Sequence, residues 1–181
     1  EQVLKIFKNK DKKKFLDIGF GSGCILLSIL KERKDFKATG VDISNHALKI
    51  CKINANKLGI KTRIKLYNSD IDKFSLGKYD LIISNPPYIK NLDLKYLEKD
   101  VKNFEPRLAL DGGVDGISEI RKTIKKSSEL IKYGGKLILE IAYNQKYEVK
   151  QLLKRNGFYI NSVIKDLANN DRCIISTKVK E

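Results

Sequence analysis

Four consecutive residues combine a hydrogen-bond acceptor, a rigid turn and an aromatic ring: Asn85, Pro86, Pro87 and Tyr88. Asn85 carries a side-chain oxygen that accepts hydrogen bonds. The two prolines restrict the backbone and lack N–H donors, so the carbonyl of Pro86 can point outward without a competing internal bond. These two acceptors can take both hydrogens of a planar –NH2 group, with Tyr88 as an aromatic wall beside it. We therefore predict catalytic roles for Asn85, Pro86 and Tyr88 and a substrate contact for Pro87.

A planar –NH2 group needs such a site because its nitrogen is a poor nucleophile, with a lone pair that is delocalised. Two acceptors in fixed positions hold the nitrogen and stabilise the positive charge that grows on it as a new bond forms. The four residues are therefore suited to a reaction in which a planar nitrogen attacks an electrophile. The alternative is that the prolines only stiffen a turn at the end of a strand.

A glycine-rich segment lies upstream at residues 17–23, with the sequence DIGFGSG. Glycines allow a tight turn and let the backbone approach a ligand closely. The spacing is G-x-G-x-G rather than the G-x-G-x-x-G of dinucleotide-binding folds. The preceding carboxylate, Asp17, would repel a pyrophosphate but would tolerate the ammonium group of a methionine moiety. The predicted cofactor contacts in this segment are Asp17, Gly19, Phe20, Gly21, Ser22 and Gly23.

Two further acidic residues follow predicted strands of the same sheet. Asp42 ends the second strand, where a carboxylate can accept hydrogen bonds from both hydroxyls of a ribose. Asp70 follows the third strand and can accept from an adenine amino group, while Ile71 covers the ring face. Each acid taken alone is equally a solvated loop carboxylate or a helix cap. Their shared position at strand ends favours a nucleoside site, and Ile43 completes the predicted cofactor set.

The apolar pattern along the chain predicts an α/β fold that places both motifs at one edge of a sheet. The predicted strands are residues 14–18, 37–42, 63–67, 79–84, 136–141, 158–165 and 172–178. The predicted helices are residues 22–34, 44–58, 117–131 and 145–156, and a long loop covers residues 85–116. The last two strands have no helix between them, so we expect them to pair antiparallel. Ligands bind at the carboxyl ends of the strands in such sheets.

The glycine turn, the strand-end acids and the order of elements resemble the class I S-adenosylmethionine-dependent methyltransferases. The resemblance covers nearly the whole chain. It implies a Rossmann-like, seven-stranded, mostly parallel sheet with helices on both faces and an antiparallel final strand. It also implies S-adenosyl-L-methionine as cofactor, S-adenosyl-L-homocysteine as product and no metal, with Asn85 touching both cofactor and substrate. We expect one catalytic domain over residues 1–181.

The sequences of the long loop and of the end of the chain indicate which family of class I methyltransferases this chain resembles. Residues 100–116 read DVKNFEPRLALDGGVDG, and residues 165–172 read KDLANNDR. Together with N-P-P-Y, these stretches are similar to the release factor glutamine methyltransferase family of HemK type. The family implies methyl transfer to the side-chain amide of the glutamine in the Gly-Gly-Gln motif of class 1 peptide chain release factors. It also implies an N-terminal helical domain, which we expect to be absent from this chain. Glu105 can shape a narrow entrance for a glycine-rich loop, so we predict that it too contacts the substrate.

Three residues depart from the pattern of this family. Phe20 stands where a small residue is usual, and Ala142 and Asn169 stand where glycines are expected. None of the three belongs to the N-P-P-Y motif. We therefore expect them to alter fine geometry, above all in the cofactor turn, and not the reaction.

Nucleic acid is the alternative substrate, because N-P-P-Y also resembles enzymes that methylate the exocyclic amine of adenine in DNA or RNA. The formal net charge of +15 fits such a partner. The lysines are spread along the whole chain and form no compact stripe for tracking phosphates, so direct nucleic-acid binding is possible but not favoured. A third interpretation is a non-catalytic module that binds nucleic acid through its lysines.

The remaining composition bounds the location of the protein. Cys24, Cys51 and Cys173 are far apart and lack the spacing of metal ligands, so we expect idle thiols in a reducing cytosol. No apolar run reaches the length of a membrane span. We therefore expect a cytoplasmic protein, and a monomer. The sequence contains no methionine, even at position 1, which suggests a fragment or a processed form of a longer protein.

Overall fold

The computed structural model describes residues 1–8, 12–89, 91–92 and 110–180. The strands are β1 (Lys14–Ile18), β2 (Lys37–Asp42), β3 (Ile64–Asn68), β4 (Tyr79–Ser84), β5 (Ile131–Glu140), β6 (Phe158–Lys165) and β7 (Asp171–Lys178). The α-helices are α1 (Gln2–Ile6), α2 (Cys24–Glu32), α3 (Asn45–Lys57), α4 (Ser118–Leu130) and α5 (Lys146–Arg155). None of the helices within these described ranges is long and apolar enough to cross a membrane.

The seven strands of the described chain form one sheet in the order β3-β2-β1-β4-β5-β7-β6. The five strands from β3 to β5 pair in parallel. β7 lies between β5 and β6 and pairs antiparallel with both. The predicted antiparallel pairing of the last two strands is therefore confirmed. Chain order reverses between β1 and β4, which is the point where open α/β sheets bind ligands.

Helices cover both faces of the sheet because successive strand residues point to opposite sides. Leu16 and Ile82 pack on the face covered by α4 and α5. Phe15 and Leu81, their neighbours in the chain, pack on the face covered by α1, α2 and α3. The central strands β1 and β4 are almost continuously buried, as expected of strands that are covered on both faces. This architecture confirms the predicted fold class.

Several element boundaries differ from the prediction, and glycines account for the differences at the starts of α2 and β5. α2 begins at Cys24 rather than at residue 22, because Gly23 is its N-cap and has a left-handed φ of 85°. β5 begins at Ile131 rather than at residue 136. Gly134 and Gly135 interrupt the apolar alternation there, so the pattern hides the first part of the strand. The pairing of β5 with β4 also shifts register at this point.

Two of the three departures from the family pattern fit the backbone without strain. Asn169 has a φ of 65° in the β6–β7 turn. Asparagine adopts this left-handed conformation more readily than other residues with side chains, so it can replace the expected glycine. Ala142 follows β5, and its N–H donates a hydrogen bond to the side-chain oxygen of Gln145 (2.9 Å). These two positions therefore keep the local geometry that a glycine would allow.

Candidate functional site

The glycine turn joins β1 to α2 and presents backbone at the carboxyl edge of the sheet. Gly19, Gly21 and Gly23 have left-handed φ angles of 72°, 55° and 85°, which residues with side chains rarely adopt. A Cβ atom at Gly19 or Gly21 would meet nothing within 4 Å. The side chain of Asn54 donates to the carbonyl of Ser22 (3.0 Å) and so anchors the turn to α3. The turn therefore has open space above its backbone, as a closely bound ligand requires.

Phe20 points away from this turn and into the core. Its ring is 5% exposed and packs over Gly40, where a Cβ would lie 2.7 Å from a ring carbon. The absent side chain at position 40 makes room for the bulky residue, so Phe20 leaves the turn unobstructed. Its carbonyl accepts a hydrogen bond from the N–H of Gly23 (2.8 Å). The predicted cofactor contact of Phe20 is thereby restricted to its backbone.

Asp42 ties the glycine turn to the end of β2. Its Oδ2 accepts a hydrogen bond from the N–H of Gly21 (2.8 Å), and its Oδ1 accepts one from the N–H of Ser44 (2.8 Å). Each carboxylate oxygen has a further lone pair, so acceptor capacity remains for two hydroxyl groups. Ile43 follows and is 54% exposed, which presents an apolar side chain at the same edge.

Asp70 has a structural role at the end of β3. Its Oδ1 accepts from the N–H of Asp72 (3.0 Å) and caps the short 3-10 helix Ile71–Lys73. Ile71 is half-buried and packs against the core on the α4 face. A helix cap was one of the two alternatives to a cofactor role for Asp70. The cap occupies one carboxylate oxygen, so it is compatible with the predicted adenine contact.

Asp17 is buried at the start of the glycine turn, on the same face of β1 as Phe15. No described residue donates a hydrogen bond to its Oδ2. Burial raises the pKa of Asp17 to about 8, the charge of Asp42 adds to this, and a hydrogen bond from the backbone of Leu26 opposes it. A buried carboxyl oxygen without a partner, next to open glycines, is complementary to a cation. The residues of this edge therefore fit S-adenosylmethionine, whose methionine end carries an ammonium group.

The N-P-P-Y turn lies beside the glycine turn because β4 pairs with β1. Ser84 is opposite Ile18, and its hydroxyl donates to the Ile18 carbonyl (2.9 Å). Asn85 follows as an exposed residue, and Pro86 is buried. Within the described ranges, no group donates a hydrogen bond to the Asn85 side chain or to the Pro86 carbonyl. The structure therefore brings the predicted acceptors next to the predicted cofactor turn.

The segment of residues 110–116 returns from the long loop and packs on the N-P-P-Y turn. The N–H of Gly112 donates to the carbonyl of Ile89 (2.7 Å). A Cβ at position 112 would lie 2.8 Å from the Cα and carbonyl carbon of Tyr88, so the segment reaches this contact only with glycine. Glu105, the remaining predicted substrate contact, lies outside the described residues.

Asp115 fixes the end of this segment at the start of α4. Its carboxylate accepts hydrogen bonds from the N–H of Ile117 (3.0 Å), the hydroxyl of Ser118 (2.9 Å) and the guanidinium of Arg121 (3.1 Å). These bonds, led by that from Ile117, lower the pKa of Asp115 to about 2. Asp115 is therefore ionised at neutral pH and keeps all three hydrogen bonds, which supports a structural role for it.

Gln145 is a site residue that the sequence pattern missed. Its side chain is buried between the end of β5, the 110–116 segment and Tyr88. The pattern showed only a polar residue at the start of a helix, where a polar residue is ordinary. The buried side chain becomes visible only when three distant segments are brought together.

Arg172 is a second residue that the structure adds to this edge. Its guanidinium donates to Asp166 Oδ2 through two nitrogens (3.0 and 3.2 Å). That bond raises the pKa of Arg172, with smaller contributions from Tyr88 and Glu140. Burial raises the pKa of Glu140, and the charge of Arg172 opposes the shift. Glu140 at the end of β5 and Arg172 at the start of β7 therefore contribute interacting charged groups at this edge.

The strand order and the glycine turn define the class I methyltransferase fold. A solved S-adenosylmethionine-dependent methyltransferase from Aquifex aeolicus superposes with a TM-score of 0.69 and 18% identity. The match covers 98% of this chain and 88% of that one. At this level of identity the similarity establishes the fold alone.

Sequence comparison identifies the family. Residues 1–113 match the model of the methyltransferase small domain, so the chain belongs to that family. The chain is 38% identical over 179 residues to the release factor glutamine methyltransferase of Caulobacter vibrioides. It is 36% identical over 181 residues to the protein of that name from Clostridium acetobutylicum. These matches cover 98% of this chain but 62% and 64% of the two relatives. The resemblance on which the sequence analysis rested is confirmed.

Proposed function

We propose that residues 1–181 form a catalytic domain that methylates the glutamine side-chain amide in the Gly-Gly-Gln motif of class 1 release factors, with S-adenosylmethionine as methyl donor. The observation that carries the proposal is the juxtaposition of an exposed Asn85 with the glycine turn, fixed by the pairing of Ser84 with Ile18. This pairing brings two hydrogen-bond acceptors next to a group of residues that is complementary to a nucleoside and an ammonium group.

The cofactor is assigned to the carboxyl edge of β1, β2 and β3. The glycine turn gives it backbone contacts, Asp42 takes the ribose hydroxyls, Asp70 takes the adenine amino group, and Ile43 and Ile71 line the adenine ring. Asp17 is complementary to the methionine ammonium group. S-adenosylmethionine supplies a methyl group on a sulfonium, and the transfer leaves S-adenosylhomocysteine as a neutral thioether.

Asn85 and Pro86 act on the acceptor nitrogen. The Asn85 side-chain oxygen and the Pro86 carbonyl accept the two amide hydrogens, and Pro87 and Tyr88 line the flat faces of the amide. As the N–C bond forms, positive charge grows on the nitrogen, and both oxygens stabilise it. Because the methylated nitrogen is acidic, it then loses one proton to water, so no strong general base is needed before the transfer. Fixed placement of the reacting atoms can lower such a barrier by roughly 7–11 kcal/mol.

Two lines of support favour a protein amide over adenine. Relatives that this chain resembles over 98% of its length carry the name release factor glutamine methyltransferase. The 110–116 segment also packs directly on the backbone of Tyr88, and we infer that it leaves a narrow slot beside the turn that suits a slender glycine-rich peptide. A flipped adenine needs a wider pocket with a stacking partner. The chain spans less than two thirds of the length of these relatives, so this activity is proposed for it as a domain.

A cytoplasmic location and a monomeric state belong to the same proposal. Cys24, Cys51 and Cys173 are all free thiols in the structure, which fits a reducing compartment. Among the described residues, no group of three or more His, Cys, Asp or Glu side chains is arranged to hold a metal ion.

A transfer assay separates the protein substrate from its alternative. The full-length protein is incubated with radiolabelled S-adenosylmethionine and either a purified class 1 release factor or mixed DNA and RNA. We expect label in the release factor alone. Label in nucleic acid alone would replace the proposal by adenine methylation, and salt-dependent nucleic-acid binding without any transfer would favour a binding module.

A further inference from the structure

Gln145 joins three segments that are far apart in the sequence. The N–H of Ala142 donates to its Oε1 (2.9 Å). Its Nε2 donates to the carbonyl of Gly116 (2.9 Å) and, over a longer distance, to the carbonyl of Tyr88 (3.4 Å). A backbone N–H can only donate and a carbonyl can only accept, so the orientation of the amide is determined by its partners. Both ends of the side chain are therefore in use, and the side chain is 8% exposed.

The two carbonyls that Gln145 binds lie on either side of the contact between the N-P-P-Y turn and the 110–116 segment: one belongs to Tyr88 and the other to Gly116. A Cβ on Gly112 would lie 2.8 Å from the backbone of Tyr88 on one side and 2.8 Å from the Gly116 carbonyl oxygen on the other. Gly112 is thus held between the same two residues that the Gln145 amide bridges. Loss of the bridge would let the segment move relative to Tyr88.

We propose that Gln145 is a positioning residue for amide methylation: its side chain holds Tyr88 and the 110–116 segment in the geometry that accepts the substrate amide. It acts through Tyr88 and does not touch the cofactor turn. This inference rests on the proposed function, because it assigns Tyr88 to the substrate site. It also predicts a structural effect that is measurable without any substrate.

The variant Gln145→Glu separates positioning from bulk packing, because glutamate is nearly isosteric with glutamine. It keeps an oxygen for the Ala142 N–H but turns the second oxygen toward two carbonyls. An ionised carboxylate is repelled there, whereas a protonated one has an O–H that restores one of the two bonds. Burial favours the protonated form. The defect is therefore expected to shrink as pH falls.

The kinetic test measures kcat and KM with a release factor from about pH 6 to about pH 9, the range in which a buried carboxyl titrates. At the alkaline end we expect kcat of Gln145→Glu to fall about tenfold relative to the wild type, as for loss of a buried hydrogen bond. The ratio of wild-type to variant kcat should decrease several-fold toward the acidic end. At each pH the variant's Kd of S-adenosylmethionine should stay within about twofold of the wild-type value. A ratio of one at every pH, or a defect in cofactor affinity alone, would overturn the proposal.

Gln151→Glu is the matched control, because Gln151 lies on α5, the helix that begins directly after Gln145, and its side chain has no hydrogen-bond partner among the described residues. It should behave as the wild type at each pH.

Hydrogen exchange supplies the second measurement. In Gln145→Met the amides of Ala142 and Gly112 should exchange at least about tenfold faster, while that of Leu139 in β5 is unchanged. Unchanged exchange at both sites overturns the positioning role. If exchange is accelerated in the variant but the wild-type protein does not methylate release factor, the structural role of Gln145 stands and the proposed function is refuted instead.

Discussion

At the scale of single residues, the carboxyl group of Asp17 couples the cofactor site to pH. Its pKa in the folded protein is about 8, against 3.8 for the ordinary group. Between these values the folded state binds a proton that the unfolded state releases. The stability of the unliganded protein should therefore fall as pH rises from about 4 to about 8. Asp17→Asn removes this titration, so its melting temperature should depend less on pH and exceed that of the wild type at pH 8.

The same substitution should weaken cofactor binding. A neutral amide cannot pair with the methionine ammonium group, so we expect a higher Kd for S-adenosylmethionine, measured by calorimetry at pH 8. A higher melting temperature together with weaker cofactor binding in Asp17→Asn would identify Asp17 as a binding residue that destabilises the unliganded fold. Wild-type affinity in Asp17→Asn would remove Asp17 from the proposed cofactor site.

Asn85 carries the proposed chemistry, and its removal should affect transfer rather than binding. In Asn85→Ala one of two acceptors for the amide is lost, so kcat should fall by about 10²–10³, as when one charge-stabilising group is removed from other enzymes. Asn56→Ala, at an exposed position of α3, is the matched control and should retain full activity. Retention of kcat in Asn85→Ala would contradict the assigned role.

The sequence was most informative at this scale where a residue type has few uses. N-P-P-Y and the three glycines have no common structural explanation in combination, and the structure places them at adjacent strand ends. The burial of Phe20 was not predictable, because it depends on the space above Gly40 on another strand. Gln145 was missed for the same reason, since its partners lie in three separate segments.

At the scale of elements, the contact between the 110–116 segment and the N-P-P-Y turn should be sensitive to one methyl group. In Gly112→Ala the new Cβ meets backbone atoms at 2.8 Å, and these atoms move only with the whole turn. We expect kcat/KM for release factor to fall at least about tenfold, with the Kd of S-adenosylmethionine unchanged.

Val114→Ala provides the comparison within the same segment, because Val114 is 81% exposed. Its stability should change by less than about 0.5 kcal/mol and its kinetics should match the wild type. Normal kinetics in a well-folded Gly112→Ala protein would show that the segment does not shape the substrate site.

From β1 onward, the order of helices and strands followed from the apolar pattern because amphipathic helices separate most of the strands, up to the final antiparallel pair. β2, β4 and β6 have the predicted bounds. The pattern failed at β5, where Lys132, Tyr133 and two glycines precede the apolar run although they belong to the strand, at the point where its register with β4 shifts. Local composition describes burial well but does not reveal a strand whose first residues are exposed.

At the scale of the whole molecule, the topology explains why two distant motifs form one site. β1 and β4 are neighbours in the sheet although α2, β2, α3 and β3 separate them in the chain. The reversal of strand order at this point opens a crevice at the carboxyl edge. A class I sheet therefore suffices to predict the cofactor edge. The substrate requires side-chain and loop detail that the fold does not supply.

The most direct test of the central claim locates the methyl group on the release factor. The full-length protein is incubated with S-adenosylmethionine and release factor, and the digested product is sequenced by tandem mass spectrometry. We predict one added methyl group on the side-chain amide of the Gly-Gly-Gln glutamine, formed at least about 100-fold more slowly when Asn85→Ala replaces the wild-type enzyme. An unmodified glutamine after full incubation, or a methyl group on another residue, would contradict the account.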